Sequence, residues 1–308
     1  MQTTVKKKTL SGKTSVCIQS YMFIIIPLIG FFLLTVYPTI WAICKSWYYY
    51  TGVPSATRFV GWDNFKTIFT TDKEYFSAWV TTIKFAVFKL PVELGLAMVL
   101  ALILNKDIKG KGIYRAIFYL PNVISIAVVG LIFSNMFEYY GVINTFLLRI
   151  GVIKERVDWF SKSSTAFAAL ITGDMWKNFG VNVLYFLAAL QNVPDDVYES
   201  SYLDGAGRLC RFFKITLPLI APVFQIVLLL AINGALHTND YVLVTTNGAP
   251  GGTTHTVMSY LTGTFAPGFA DNGVNIGYGC AMSFITSVIM SAIAIVYSKV
   301  SSKMSDLY

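Results

Sequence analysis

Charge is what this sequence has least of. Asp, Glu, Lys and Arg make up 13% of its 308 residues, where a soluble chain carries about 25%. That deficit excludes an ordinary water-facing domain. It is matched by 55% hydrophobic residues and a mean hydropathy of +0.59, a composition that calls for lipid around it. Histidine and cysteine are scarce as well. His237, His255 and the scattered Cys17, Cys44, Cys210 and Cys280 contain no CxxC pair, which excludes a zinc constellation and a disulfide framework. The cysteines read as packing residues. The net charge is +8, but the basic residues are dispersed among loops, so a nucleic-acid-binding stripe is excluded too.

Nucleotide-binding motifs are also missing. Ser11-Gly12-Lys13-Thr14 ends like a phosphate-binding loop, yet the earlier glycine of that motif falls on Lys7. Gly205-x-Gly207 lacks the third glycine of a dinucleotide site, because position 210 is cysteine. No cluster of His, Asp or Ser has catalytic spacing. The expectation is a chain that is not an enzyme, with no catalytic residue, no metal site and no cofactor of its own.

What is present is long apolar runs. About 20 apolar residues cross the hydrocarbon core as a helix, and six windows qualify: 21–44, 79–104, 116–137, 166–190, 217–238 and 276–298. The first follows Lys6, Lys7 and Lys8 but is too long for a signal h-region and has no small-x-small site, so it reads as an uncleaved span. Loops on one side, with both tails, hold thirteen Lys and Arg against eight on the other. By the positive-inside rule both termini are cytoplasmic. The predicted fold is an all-α integral membrane protein with six transmembrane helices.

The densest charge lies on the cytoplasmic side, in the loop at 194–218. Pro194 suits a first helical turn, with Asp195 and Asp196 at the positive end of the helix dipole. Gly205 allows a sharp turn, and Asp204 is placed to N-cap a second helix. There Leu209, Phe212, Phe213 and Leu217 share one face and Arg208, Arg211 and Lys214 another, before Pro218 leads into the fifth span. A segment lying on lipid head groups would explain the basic residues. It would not explain two acids, two serines and a glycine turn, which suit docking to a protein.

Glu199-Ser200-Ser201, Asp204-Gly205-Ala206 and Ile215-Thr216-Leu217-Pro218 resemble the EAA loop of bacterial ABC importer permeases, with serines for the two alanines. Further segments resemble the carbohydrate subfamily, and within it the first permease of maltose-type importers. They are Phe59-Val60-Gly61-Trp62-Asp63-Asn64-Phe65, Arg115 through Leu120-Pro121, Gly141-Val142-Ile143-Asn144 and Thr246-Asn247-Gly248-Ala249-Pro250. The large external domain of some relatives is expected to be absent.

The resemblance implies a permease subunit of an ATP-driven, binding-protein-dependent sugar importer in the bacterial plasma membrane. Its substrate would be an oligosaccharide, or else a monosaccharide or glycerol phosphate, and its mechanism alternating access. Glu199, Ser200, Ser201, Asp204, Gly205 and Ala206 would couple it to the ATPase. Implied partners are a second homologous permease in a heterodimer, two cytoplasmic ATPase subunits that hold ATP and Mg, and an external substrate-binding protein. The implied organisation is a basic tail at 1–20, the first span and external loop at 21–74, a permease core at 75–300 and a C-terminal tail at 301–308.

Polar and aromatic residues inside spans are candidates for a substrate path. They are Trp176, Asn178 and Asn182 in the fourth span, and Asn233, His237, Asn239, Asp240 and Tyr241 at the end of the fifth. Polar residues in such places also simply hydrogen-bond between helices. Lys89 and Glu93, four apart, read as a structural pair. Trp47 and Tyr48 to Tyr50 read as an interfacial aromatic belt. The competing class is an ion-driven secondary transporter, which would show an internal repeat and a midplane ion site; the halves show no convincing repeat.

Overall fold

The computed structural model describes residues 12–266, 268–270 and 273–305. Lys6, Lys7 and Lys8 of the basic tail, and residues 306–308 of the C-terminal one, lie outside them. In chain order the helices are α1 (Gly12–Phe31) and α2 (Tyr37–Lys45), α3 (Asp63–Thr70), α4 (Lys73–Leu104), α5 (Lys111–Val123), α6 (Ile126–Met136) and α7 (Val142–Arg149). They continue with α8 (Ser163–Gln191), α9 (Asp195–Leu203), α10 (Arg208–Arg211), α11 (Leu217–Leu236), α12 (Asp240–Thr245), α13 (Val257–Phe265) and α14 (Ile276–Ser305). A two-residue antiparallel pair, β1 (Tyr48–Tyr49) and β2 (Arg58–Phe59), follows α2.

Among the described residues four helical runs are long and apolar enough to cross a membrane: Gln19–Lys45, Lys73–Leu104, Arg208–Leu236 and Ile276–Lys303. α5 and α6 make a fifth if they are one span. α8 is 29 residues long but carries Asp174, Lys177, Asn178 and Asn182 in its middle, and falls outside this set.

Three details differ from the sequence expectations. The window at 116–137 is not one straight helix: α5 and α6 meet at a 94° bend. Pro121 removes a helical N–H in the last turn of α5, and Ile124 and Ser125 are extended (ψ 139° and 138°). α8 holds this break. Lys177 Nζ donates to the Asn122 carbonyl at 3.1 Å, and a Cβ at Gly180 would overlap the Phe118 carbonyl. The fifth span, expected at 217–238, instead runs on unbroken from Arg208. A π-helical turn at Phe212–Thr216, where the Leu217 N–H reaches back to Phe212 O, bridges α10 and α11. An identical device, Phe32–Val36, joins α1 to α2. Each ends two residues before a proline, Pro218 or Pro38, and absorbs the missing donor by one extra residue in the turn. Thirdly, Cys44 and Cys210 are exposed and pack in no core.

The chain forms two compact units, one from the described parts of Met1–Lys66 with Asn275–Phe284, the other from Thr67–Val274 with Ile285–Tyr308. In the first, Asn64 Nδ2 donates to the Ser46 and Tyr48 carbonyls at 2.8 and 3.1 Å, and Asn275 Oδ1 accepts from Tyr50 N at 3.1 Å. Lys45 Nζ lies 4.7 Å from the Tyr50 ring centre and faces Trp41 and Tyr48 as well. These aromatics thus surround a cation.

In the second unit α4 packs along α8. On α4 the buried positions Tyr75, Ala78, Thr82, Phe85, Lys89, Glu93, Ala97 and Ala101 recur every three or four residues, the stripe of a helix with one interior face. Toward one end Leu94, Ala97, Met98 and Ala101 meet Val183, Phe186, Leu187 and Leu190 of α8. Toward the other, Phe85 and Leu90 join Phe133, Leu170, Tyr241 and Val242. Between these apolar layers the stripe turns polar.

Asn144, fully buried, organises the loop between α6 and α8. Its Nδ2 donates to the carbonyls of Glu138, Tyr139 and Val157. Its Oδ1 accepts from Val157 N and Trp159 Nε1, both at 3.1 Å.

Candidate functional site

The polar layer opens into a cavity of about 630 Å³. Asp174, Asn178, Val181 and Tyr185 line it from α8 at spacings of four, three and four, one face of that helix. Lys89 and Glu93 line it from α4, Ile126 from the first turn of α6, and Gly234 from α11. His237 to Tyr241 cross it from the end of α11 into α12, and Met258 of α13 completes the wall.

Its deepest feature is an ion cluster. Lys89 Nζ sits 3.3 Å from Glu93 Oε2 and in contact with Asp174 Oδ2, and Asn182 Nδ2 donates to Glu93 Oε1 at 2.6 Å. Lys89, Glu93 and Asp174 are 3%, 1% and 3% exposed. An ammonium so buried is tolerated only because carboxylates flank it, and removing any partner leaves an uncompensated charge. The pair expected at Lys89 and Glu93 is therefore present, extended across to α8 by Asp174.

Six of the eight path candidates line the cavity: Asn178, Asn182, His237, Asn239, Asp240 and Tyr241. Two do not. Trp176 points elsewhere on α8, its ring 5.6 Å from that of Phe133. Asn233 is exposed, and its backbone carbonyl accepts from His237 Nδ1 at 2.9 Å. Sequence reasoning passed over Asp174, Lys177 and Tyr185. The signal was there for Asp174: an acid inside a membrane-length helix, four residues before Asn178.

The second feature is the hairpin of α9 and α10. Here Pro194 occupies the N-cap and Asp195 begins the helix, one position later than expected. Asp204 ends α9 rather than starting α10, whose N-cap is Gly207. The reason is a Schellman closure. Gly205 takes φ +74°, Gly205 N donates to Tyr202 O at 3.1 Å and Ala206 N to Ser201 O at 3.0 Å, the two bonds that define the motif. Asp-Gly-Ala thus stops one helix and turns the chain into the next. The serine hydroxyls are turned inward along α9, Ser200 to Val197 O at 3.1 Å and Ser201 to Tyr198 O at 2.8 Å. With their oxygens occupied they present small surfaces much as alanine would. Glu199, Ser200, Asp204 and Gly205 are exposed, Ser201 is buried and Ala206 half-buried. Beside them Tyr202, Leu203 and Leu209 are largely exposed.

Membrane-length helices that are apolar outside, polar around a central cavity, and interrupted by an exposed helical hairpin define a multi-pass membrane protein of the transport class. The comparisons narrow this. Residues 93–306 match the family of the binding-protein-dependent transport system inner membrane component, and the chain belongs to that family. The probable ABC transporter permease protein YesP of Bacillus subtilis is 34% identical over 97% of this chain and 92% of its own. The trehalose/maltose transport system permease protein MalF of Thermococcus litoralis is also 34% identical, over 91% and 88%. Among solved structures, a bacterial ABC transporter involved in the import of the acidic polysaccharide alginate superposes with a TM-score of 0.80 at 22% identity, covering 93% of this chain and 96% of its own. That likeness establishes the shared fold.

Proposed function

We propose that this chain is a transmembrane permease subunit of an ATP-driven, binding-protein-dependent importer of sugars, oligosaccharides above all, in a bacterial plasma membrane. It has six spans, α5 with α6 and the polar α8 among them, and both termini cytoplasmic. Its partners are a second, homologous permease, two cytoplasmic ATPase subunits that bind ATP and Mg, and an external substrate-binding protein. The named sugars of its relatives support the substrate class, and an ion-driven carrier is not favoured.

One observation carries the mechanism: the exposed hairpin is inserted between two of the helices that line the cavity, α8 and α11. α8 gives the cavity its polar face and ends at Gln191, with three residues between it and the start of α9. α10 continues without a break into α11, whose far end reaches the cavity at His237. A push on Glu199 to Ala206 therefore moves both walls through rigid helices, and the cavity alternates between outward and inward access. Tyr198 OH, 3.2 Å from Thr216 Oγ1, ties α9 to the π-turn so that the hairpin moves as a piece.

The test is co-expression with the partner permease and ATPase, comparing the wild type with the Glu199→Ala, Gly205→Pro double variant. Proline cannot adopt φ +74° and lacks the N–H given to Tyr202 O, so the Schellman closure is lost. The expected outcome is a variant that inserts but fails to retain the ATPase or to couple sugar-stimulated ATP hydrolysis. Unchanged retention and coupling would remove the hairpin from the mechanism.

A further inference from the structure

A second hollow lies outside the polar cavity, between α4 and α11. It is a groove of about 490 Å³ lined only by apolar residues. Pro91, Gly95 and Val99 line it from α4, and Phe212, Phe224 and Leu228 from the π-turn and α11. Pro91, Gly95 and Val99 follow one another at intervals of four, one exposed strip of α4 about 12 Å long by helical rise. At its centre a Cβ on Gly95 would have nothing within 4 Å, so the glycine leaves a recess. Both helices belong to membrane-length runs. A recess between them forfeits dispersion contacts along its whole lining unless something fills it.

One end of the groove is charged. Phe212 N donates to Arg208 O, a regular helical turn, so Arg208 stands on the same face as Phe212 and one turn nearer the coupling hairpin. On the opposite wall α4 ends at Leu104, five residues past Val99, and Lys106 follows at once. In the orientation proposed above α4 enters the cytoplasm where α11 leaves it, so both cations close the cytoplasmic end. Both are exposed, and among the described residues neither forms an ion pair. Asp107, beside Lys106, is held by Lys111 at 3.1 Å. The Arg211 guanidinium lies 5.5 Å from the Tyr202 ring centre and is turned to the hairpin.

We infer that this groove is a site for an anionic phospholipid of the inner leaflet, with one acyl chain along Gly95 and Phe224 and the phosphate between Arg208 and Lys106. A phospholipid has the groove's order built in, a long apolar chain and then a negative charge at the bilayer surface. A helix from another subunit would have to bring acids to the same depth. The lipid lies against the π-turn that joins the coupling hairpin to α11, and its head group ties the foot of that moving wall to the membrane surface. The inference takes its orientation from the importer reading and adds a ligand which that reading does not require.

The experiment uses the purified importer, the full chain with its partner permease and ATPase. It is stripped of lipid in detergent and titrated with phosphatidylglycerol or phosphatidylcholine of matched chains, and bound lipid is counted by native mass spectrometry. The wild type is expected to retain one phosphatidylglycerol per copy of this chain at a concentration about tenfold below that needed for phosphatidylcholine, the scale of two basic residues at a lipid surface. Gly95→Leu fills the recess with a better helix former and is expected to lose that lipid. Arg208→Gln with Lys106→Gln is expected to bring the two titrations together, and serves if the first variant fails to assemble. Equal retention of both lipids by the wild type, or an unchanged preference in an assembled variant, overturns the inference. So does displacement of the lipid by millimolar inorganic phosphate, which would make this a site for a free anion. So does a photoreactive residue at position 95 that cross-links the partner permease instead of lipid. Lipid retention is read without transport, so each of these results leaves the importer reading standing. A chain that retains no ATPase overturns that reading instead, and the same titration of the chain alone still decides this one.

Discussion

The run Gln19–Lys45 and helix α8 are of similar length, and they invert the usual relation between greasiness and burial. The first is among the most apolar segments of the chain, yet none of its most apolar stretch is buried within the protein. Phe23, Ile26 and Leu34 are 80%, 73% and 81% exposed. α8 carries an acid, a lysine and two asparagines, and is among the best-packed elements, with Asp174 and Asn182 buried beside Val183 and Phe186. In water the apolar residues go in. In lipid the apolar surface is the outer one, and polar groups must find partners inside. Hydropathy thus locates the lipid-facing skin, and interruptions in it locate the interior.

Three substitutions test that contrast, in descending order of effect. Lys89→Met is expected to be the most damaging, because it strands the carboxylates of Glu93 and Asp174. The cost is about 3–5 kcal/mol, read as a fall in the thermal unfolding midpoint in detergent. Adding Glu93→Gln and Asp174→Asn removes the stranded charges and is expected to restore most of it. If the single variant unfolds like the wild type, α8 is not held from within by its charges. Gly180→Val comes next, at about 3 kcal/mol for overpacking against the Phe118 carbonyl. Proteolysis of detergent-purified protein near the bend at 124–125 would report it. Last is Leu34→Ala on the exposed run, expected to fall within about 0.5 kcal/mol. A larger loss in the isolated chain would mean that this surface packs on something here, and the comparison would fail.

Much of this was legible in the residues. Apolar run length located the helices that bear the membrane surface, and Gly205 announced a turn because φ above zero leaves few alternatives. Asn178, Asn182 and the segment from His237 to Tyr241 stood out as polar groups in apolar surroundings, and they converge on one cavity. The bend between α5 and α6 was not legible. Pro121 permits a break, but Lys177 and Gly180, more than fifty residues on, fix it, and such support is tertiary. Asp174 was overlooked because its partner, Lys89, lies on another helix and was already assigned to Glu93. The cap at Asp204 shifted because hydrogen bonds around Gly205, rather than residue preference, decide which helix that aspartate belongs to.

The π-turn at Phe212–Thr216 has a bearing on how such a chain can change in length. One residue beyond a regular turn rotates everything after it by about 100°. The charged residues of α10 and the cavity-lining end of α11 are therefore in phase only because that extra residue is present. Deleting one residue between 212 and 216 would leave a helix of nearly the same length and greasiness, indistinguishable by composition. Yet Gly234 and the segment entering at His237 would swing a quarter-turn away from the cavity, so at this point a single-codon deletion is a rotation rather than a shortening.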